Sequence, residues 1–159
     1  MFNAFYMCMV FTMLSTTSHF RLPPDSVGTA CDNVESLITT SYEENIDPFV
    51  FASLIYHESR FSPKAKSKAG ACGLTQVIPK YVPPTCRQLQ TNTELSIQTG
   101  AVILSMWLSK KKTYHAALQC YNSGVRCKSK LYADRIIRTA NILEKTYIKT
   151  KRTMEYAID

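Results

Sequence analysis

Glycine and proline are few, five and seven in 159 residues, and only 19% of the chain is charged. That composition excludes collagen-like, low-complexity and charge-driven disordered chains. No internal repeat and no convincing run of alternating strand residues is visible, so helices must build the fold. No Cys-x-x-Cys pair occurs, and the three histidines (His19, His57 and His115) do not cluster. A zinc site is therefore not expected. What the chain does have is 45% hydrophobic residues, enough for one core of ordinary size and too little length for two comfortable domains.

Lysine and arginine are absent from Leu22 to Glu58, where seven acids stand. From Ser59 to Arg152 the balance reverses, with 18 Lys and Arg against three acids, and the whole chain carries +7. A basic surface attracts polyanions such as nucleic acid, an anionic membrane or an acidic cell-wall polymer, or else is simply a solvated face.

Residues Phe2 to Leu14 are uncharged and mostly apolar, and Ser15, Thr16, Thr17 and Ser18 follow. The run is short for a bilayer span, which needs about 20 apolar residues. It suits a signal-peptide core or N-terminal anchor over residues 1–20, with a buried N-terminal helix as the other reading. On the first reading Cys8 leaves with the segment and five cysteines remain, consistent with one or two disulfides in an oxidising compartment. Residues 21–30 read as a linker, 31–147 as the folded domain and 148–159 as a polar tail.

Within the domain, Asp32 is placed to cap a helix running to about Asn45, with Val34, Leu37, Ile38 and Tyr42 on one face. Asp47-Pro48 is a stronger helix start, an N-cap acid followed by proline at the first helical position. Phe51, Leu54, Ile55 and Glu58 share a face of that helix at i, i+3, i+4, i+7, so a carboxylate ends an apolar stripe. Arg60 to Thr85 reads as loop, with one short helix near Leu74–Ile78. Thr91-x-x-Glu94 has the form of a capping box opening a helix that ends at Lys110–Lys112. Further helices are expected over Tyr114–Tyr121 and about Lys130–Tyr147.

Three motifs follow one another: His57-Glu58-Ser59-Arg60-Phe61, then Ser67-Lys68-Ala69-Gly70-Ala71-Cys72-Gly73-Leu74-Thr75-Gln76, then Ala117-Leu118-Gln119-Cys120-Tyr121-Asn122-Ser123-Gly124. In order and spacing they resemble the soluble lytic transglycosylase (SLT) domain, a lysozyme-like family that cleaves peptidoglycan. The resemblance runs from about Cys31 to Leu143. It implies a mainly α, lysozyme-like single domain with little or no sheet. By position it makes Glu58 the catalytic acid/base and Ser67 a serine near that carboxylate. Gln76 becomes a lining residue of the glycan groove, and Tyr121 a tyrosine that orients the acid with Asn122 beside it. Thr75 departs from the family, which has methionine there.

The resemblance further implies non-hydrolytic cleavage between N-acetylmuramic acid and N-acetylglucosamine, with no metal or organic cofactor. Glu58 protonates the bridging oxygen and then acts as base on the sugar's 6-hydroxyl, which closes a 1,6-anhydro ring. Partial burial against Leu54 and Ile55 would raise the Glu58 pKa, as a general acid requires. If the two groove-forming loops converge as in the family, Cys86–Cys127 is the expected disulfide, with Cys72–Cys120 a second candidate. Peptidoglycan glycan strands are the expected partner of a monomer in the periplasm or cell envelope. A secretion, conjugation or phage assembly is a further partner and a phage gene a possible origin, and no specific nucleic acid is expected. The alternatives are a hydrolytic lysozyme-type muramidase and a non-catalytic basic protein that binds cell wall or nucleic acid.

Overall fold

A computed structural model describes residues 2–18 and 20–156, so His19 lies outside the described residues. Eight α-helices occur in this part of the chain: α1 (Ala4–Leu14), α2 (Pro24–Asp32), α3 (Val34–Glu43), α4 (Pro48–Ser59), α5 (Cys86–Thr91), α6 (Thr93–Lys111), α7 (Tyr114–Ser123) and α8 (Lys130–Tyr156). Among the described residues the only β-type pairing is three isolated bridges, two of them inside the loop between α4 and α5. The expected mainly helical class is what forms.

Helix α4 is the axis of the domain. The Asp47 carboxylate accepts from the backbone N–H groups of Phe49 at 2.8 Å and Val50 at 3.0 Å, and Pro48 presets the first turn. Every residue from Pro48 to Tyr56 except Val50 is buried, so the helix is apolar almost all round. It packs on α3 and α8. Just past Glu58 the chain turns sharply through Arg60 and Phe61, both left-handed at φ 52° and 57°. Non-glycine residues adopt that conformation only where surrounding contacts impose it. Here the anchor is the Phe61 ring, 1% exposed and 5.2 Å from the Phe11 ring.

That contact bears on the N-terminal segment. The residues read as a signal segment pack against the core in the full chain: Met7, Val10, Phe11 and Phe20 are fully buried. Phe20 stacks on Tyr56 with ring centroids 4.2 Å apart, and the Arg60 guanidinium donates to the Arg21 carbonyl at 2.8 Å. A Cys8–Cys31 disulfide ties α1 to α2. In the full chain this uncharged apolar run forms helix α1, with Met7, Val10 and Phe11 buried. Residues 21–30, expected as a linker, hold most of helix α2 (Pro24–Asp32). The expected polar tail continues α8 to Tyr156, with Thr150 buried beside Met13 of α1.

Three local expectations are also corrected. Asp32 ends α2, and α3 starts after Asn33 with Tyr42 exposed. The short helix expected at Leu74–Ile78 is absent; the segment is a turn followed by a single 3-10 turn at Pro79–Tyr81. The capping box is Thr85–Gln88 at the start of α5, and α6 is capped by Asn92, which accepts from Leu95 N–H at 2.9 Å. Thr91 is spent as the last residue of α5.

The cysteines are paired Cys8–Cys31, Cys72–Cys86 and Cys120–Cys127, which overturns both expected pairs. Each bond is local, within the α1–α2 pair, between the loop after α4 and α5, or across the end of α7, and none joins that loop to the α7–α8 turn. Cys72 and Cys86 meet because α5 folds back on the preceding loop, forming a small second core with Val77 and Leu89. Cys120 and Cys127 span the end of α7, seven residues apart. The closed loops are 14 and 7 residues, so the chain-entropy contribution is about 3 kcal/mol for the longer and less for the shorter. Non-reducing peptide mapping of the oxidised protein is expected to recover these three pairs and no Cys86–Cys127 peptide.

Candidate active site

Glu58 sits in the last turn of α4, one turn beyond Leu54 and Ile55 on the apolar stripe. Burial pushes its carboxyl up to about 7, against an opposing hydrogen bond from the Tyr132 hydroxyl. Tyr132 donates directly to Glu58 Oε1, and no second carboxylate perturbs the group. Two phenols flank it. Burial, then the Glu58 carboxylate, hold both Tyr121 and Tyr132 well above the usual phenol value, so both stay neutral donors.

Tyr121 does not orient the acid by a direct bond. Its hydroxyl donates to the Thr75 carbonyl at 2.8 Å, joining α7 to the loop between α4 and α5. The hydroxyl bonded to the acid is that of Tyr132 at the start of α8, a residue in none of the three motifs. The signal was present: Tyr132 is four residues before Ile136, on the inward side of α8.

The loop that carries Thr75 is held by its own polar groups. Ser67 Oγ accepts from Ala71 N–H at 3.0 Å, and the Gln76 side-chain amide donates to the carbonyls of Ala65 and Gly73 at 3.1 and 3.0 Å. Both side chains therefore staple the loop, and among the described residues the hydrogen-bond partner of Glu58 is Tyr132 alone. Asn122 bridges the α7–α8 turn by accepting from Ser129 Oγ. Cys72, beside Gly73, and Cys120, beside Tyr121, brace the two ends of the Tyr121–Thr75 bond.

Thr75 explains the departure from methionine. It is fully buried and turned toward α6, where its hydroxyl donates to the Ser96 carbonyl at 2.7 Å. A methyl group on Gly100 would lie 2.4 Å from Thr75 Cβ, so the small residue on α6 makes the seat for this side chain. Gly73 is required twice over, by φ 77° and by the Leu89 carbonyl 2.5 Å from where a Cβ would stand.

His57 is the other titratable group near the acid. Its Nε2 meets Thr139 Oγ1 at 2.9 Å, tying α4 to α8 one turn past Arg135. Burial first, then the charges of Arg135 and Arg60, lower it to about 4, so it stays neutral at neutral pH. Among the described residues no His, Cys, Asp or Glu group is arranged to hold a metal ion.

Comparison with known proteins places this site in a family. Residues 35–141 match the transglycosylase SLT domain. The chain belongs to that family. A transglycosylase of Enterobacteria phage PRD1 is 26% identical over 114 residues, 69% of this chain and 43% of the phage protein. The chain thus spans less than half the length of that relative. The X-ray structure of an inactive mutant of the lytic transglycosylase Slt from Pseudomonas aeruginosa superposes with a TM-score of 0.65 at 18% identity. It covers 85% of this chain and 27% of the Pseudomonas chain. The SLT domain here has the lysozyme-like fold that the motifs implied.

Three expectations follow from the geometry. Gly100→Ala forces Thr75 out of its seat and is expected to cost about 1–3 kcal/mol by denaturant unfolding. Tyr132→Phe removes the bond that favours the charged carboxylate, so Glu58 should titrate higher and the alkaline limb of the pH–rate profile should move up. An unmoved limb would deny the Tyr132–Glu58 bond its role. Finally, a carboxyl whose folded value lies above its unfolded one loses stability as pH rises from about 4.5 to about 7. Glu58→Gln should therefore gain stability over wild type as pH rises, on the order of 3 kcal/mol by pH 8, and little at pH 4.

Proposed function

We propose that the chain is a peptidoglycan lytic transglycosylase in which Glu58 performs both proton transfers. The observation that carries this reading is a single carboxyl, buried enough to hold its proton near neutral pH, with a phenol to fix it and no acidic partner. Hydrolases of the two-carboxylate type need a second acid to activate water or to attack the sugar. Here the protonated Glu58 is suited to donate to the glycosidic oxygen between N-acetylmuramic acid and N-acetylglucosamine. The resulting carboxylate then takes the proton of the 6-hydroxyl as that oxygen closes on the anomeric carbon, and Glu58 is restored to its acid form.

In this reading the loop between α4 and α5 and the α7–α8 turn are the walls of the glycan groove. Gln76, Ser67 and Asn122 shape those walls through the bonds they make inside them. Tyr121 latches wall to wall through Thr75. Three disulfides favour an oxidising site of action, in the periplasm or elsewhere in the cell envelope. The phage relative fits an enzyme that opens the wall for a larger assembly.

Glu58→Gln should leave the fold intact and lower wall cleavage roughly a hundred- to ten-thousand-fold or more. Clearing of peptidoglycan in a zymogram at wild-type strength by the folded variant would overturn the assignment. Because the acid form is the one that starts the reaction, the wild-type rate should fall as pH rises through about 7.

A further inference from the structure

We propose that the outward face of α8 is a docking surface for an anionic lipid bilayer. At 100° per residue, Arg138, Lys145, Lys149 and Arg152 fall within a sector of about 60°, along roughly 21 Å of helix. All four are exposed. The opposite side of the helix carries Ile136, Leu143 and Tyr147, which are buried, so the cations point straight out of the fold. Among the described residues none of the four is in an ion pair. Asp134, the acid in the same sector, is taken by His115 at 2.9 Å. Glu144 and Glu155 lie roughly 80–100° round the helix to one side.

Charge alone would suit any polyanion. The choice of a bilayer rests on what stands among the cations: Leu131, Ile148 and Tyr156 are 72%, 42% and 81% exposed and lie on or beside the stripe. Apolar and aromatic tips between lysines and arginines are what a helix lying in a headgroup region uses, cations to the lipid charges and tips toward the acyl boundary. Nucleic acid or an acidic glycan would draw on the cations and leave Leu131 and Ile148 exposed to no purpose.

The rest of the molecule favours one orientation. The acids of the Leu22–Glu58 stretch are concentrated on and around α2 and α3. Helix α3 packs on α4, α6 and α1, whereas α8 packs on α4, α7 and α1, so the two charge groups occupy different faces. Such a dipole turns the α8 face toward a negative surface. Tyr132 lies at the far N-terminal end of α8, about 20 Å along the axis from Lys145. Docking would therefore leave the Glu58 site free, and the two properties can be tested apart.

The test is co-sedimentation of the full chain with vesicles of phosphatidylcholine, with and without a third of phosphatidylglycerol. Wild type is expected on the anionic vesicles only, with binding that weakens as salt rises. The variant Lys145→Glu/Lys149→Glu/Arg152→Glu should lose at least a hundredfold in partition, at roughly fivefold per unit of charge. Ile148→Ser/Tyr156→Ser should weaken binding while keeping its salt dependence. Both should match wild type in circular dichroism and in cleavage of soluble glycan strands. Absence of wild-type binding to anionic vesicles, or equal binding by the triple variant, overturns the proposal. Wild-type binding to isolated sacculi or duplex DNA with none to vesicles overturns it too, and assigns the stripe to a polyanion.

Discussion

The desolvation of one carboxyl governs this structure. In the proposed reaction Glu58 serves as an acid only while it is kept from water, and at the same time it must face a sugar. The protein meets both demands by putting it at the end of a helix buried on nearly all sides, so that the backbone fixes its position and the surrounding apolar residues fix its protonation. A single hydroxyl, Tyr132, then holds the group in direction without supplying a countercharge that would strip its proton. The same burial that holds the Glu58 proton near neutral pH costs stability once the group ionises, a conflict common at active sites.

Contacts from other helices keep that helix end in place. The two left-handed residues after Glu58 are held by Phe61 against Phe11, and Tyr56, one turn before Arg60, is covered by Phe20. The first helix thus belongs to the acid's support even though it contains none of the motif residues. On the other side a disulfide closes the loop between α4 and α5 onto α5, another spans the end of α7, and the Tyr121–Thr75 bond joins the two segments.

How much of this could be read from the chain depended on whether a feature is local. The start of α4 was legible because Asp47-Pro48 encodes its own cap, and Glu58 because it ends an apolar i, i+3, i+4, i+7 stripe and opens a three-motif series. The site's walls were legible as motifs, since Gly73, Gln76 and Asn122 sit in them. The cysteine pairing was not legible: sequence separation does not reveal that α5 turns back on the loop to bring Cys86 onto Cys72. Tyr132 was missed because its partner lies 74 residues away and no motif contains it. The packing of residues 2–14 was not legible, because hydrophobicity without charge does not say what covers it. In the full chain Met7, Val10 and Phe11 join the main core.

The account stands on one carboxyl doing the work of two, with the sugar's own hydroxyl as the nucleophile. Digestion of purified peptidoglycan in water enriched in oxygen-18, read by mass spectrometry of the released glycans, tests this most directly. The account predicts muramic acid ends lighter than hydrolysis products by one water and free of the label. Ends of hydrolytic mass carrying one labelled oxygen would contradict it, and would require a water-activating group that the Glu58 site does not supply.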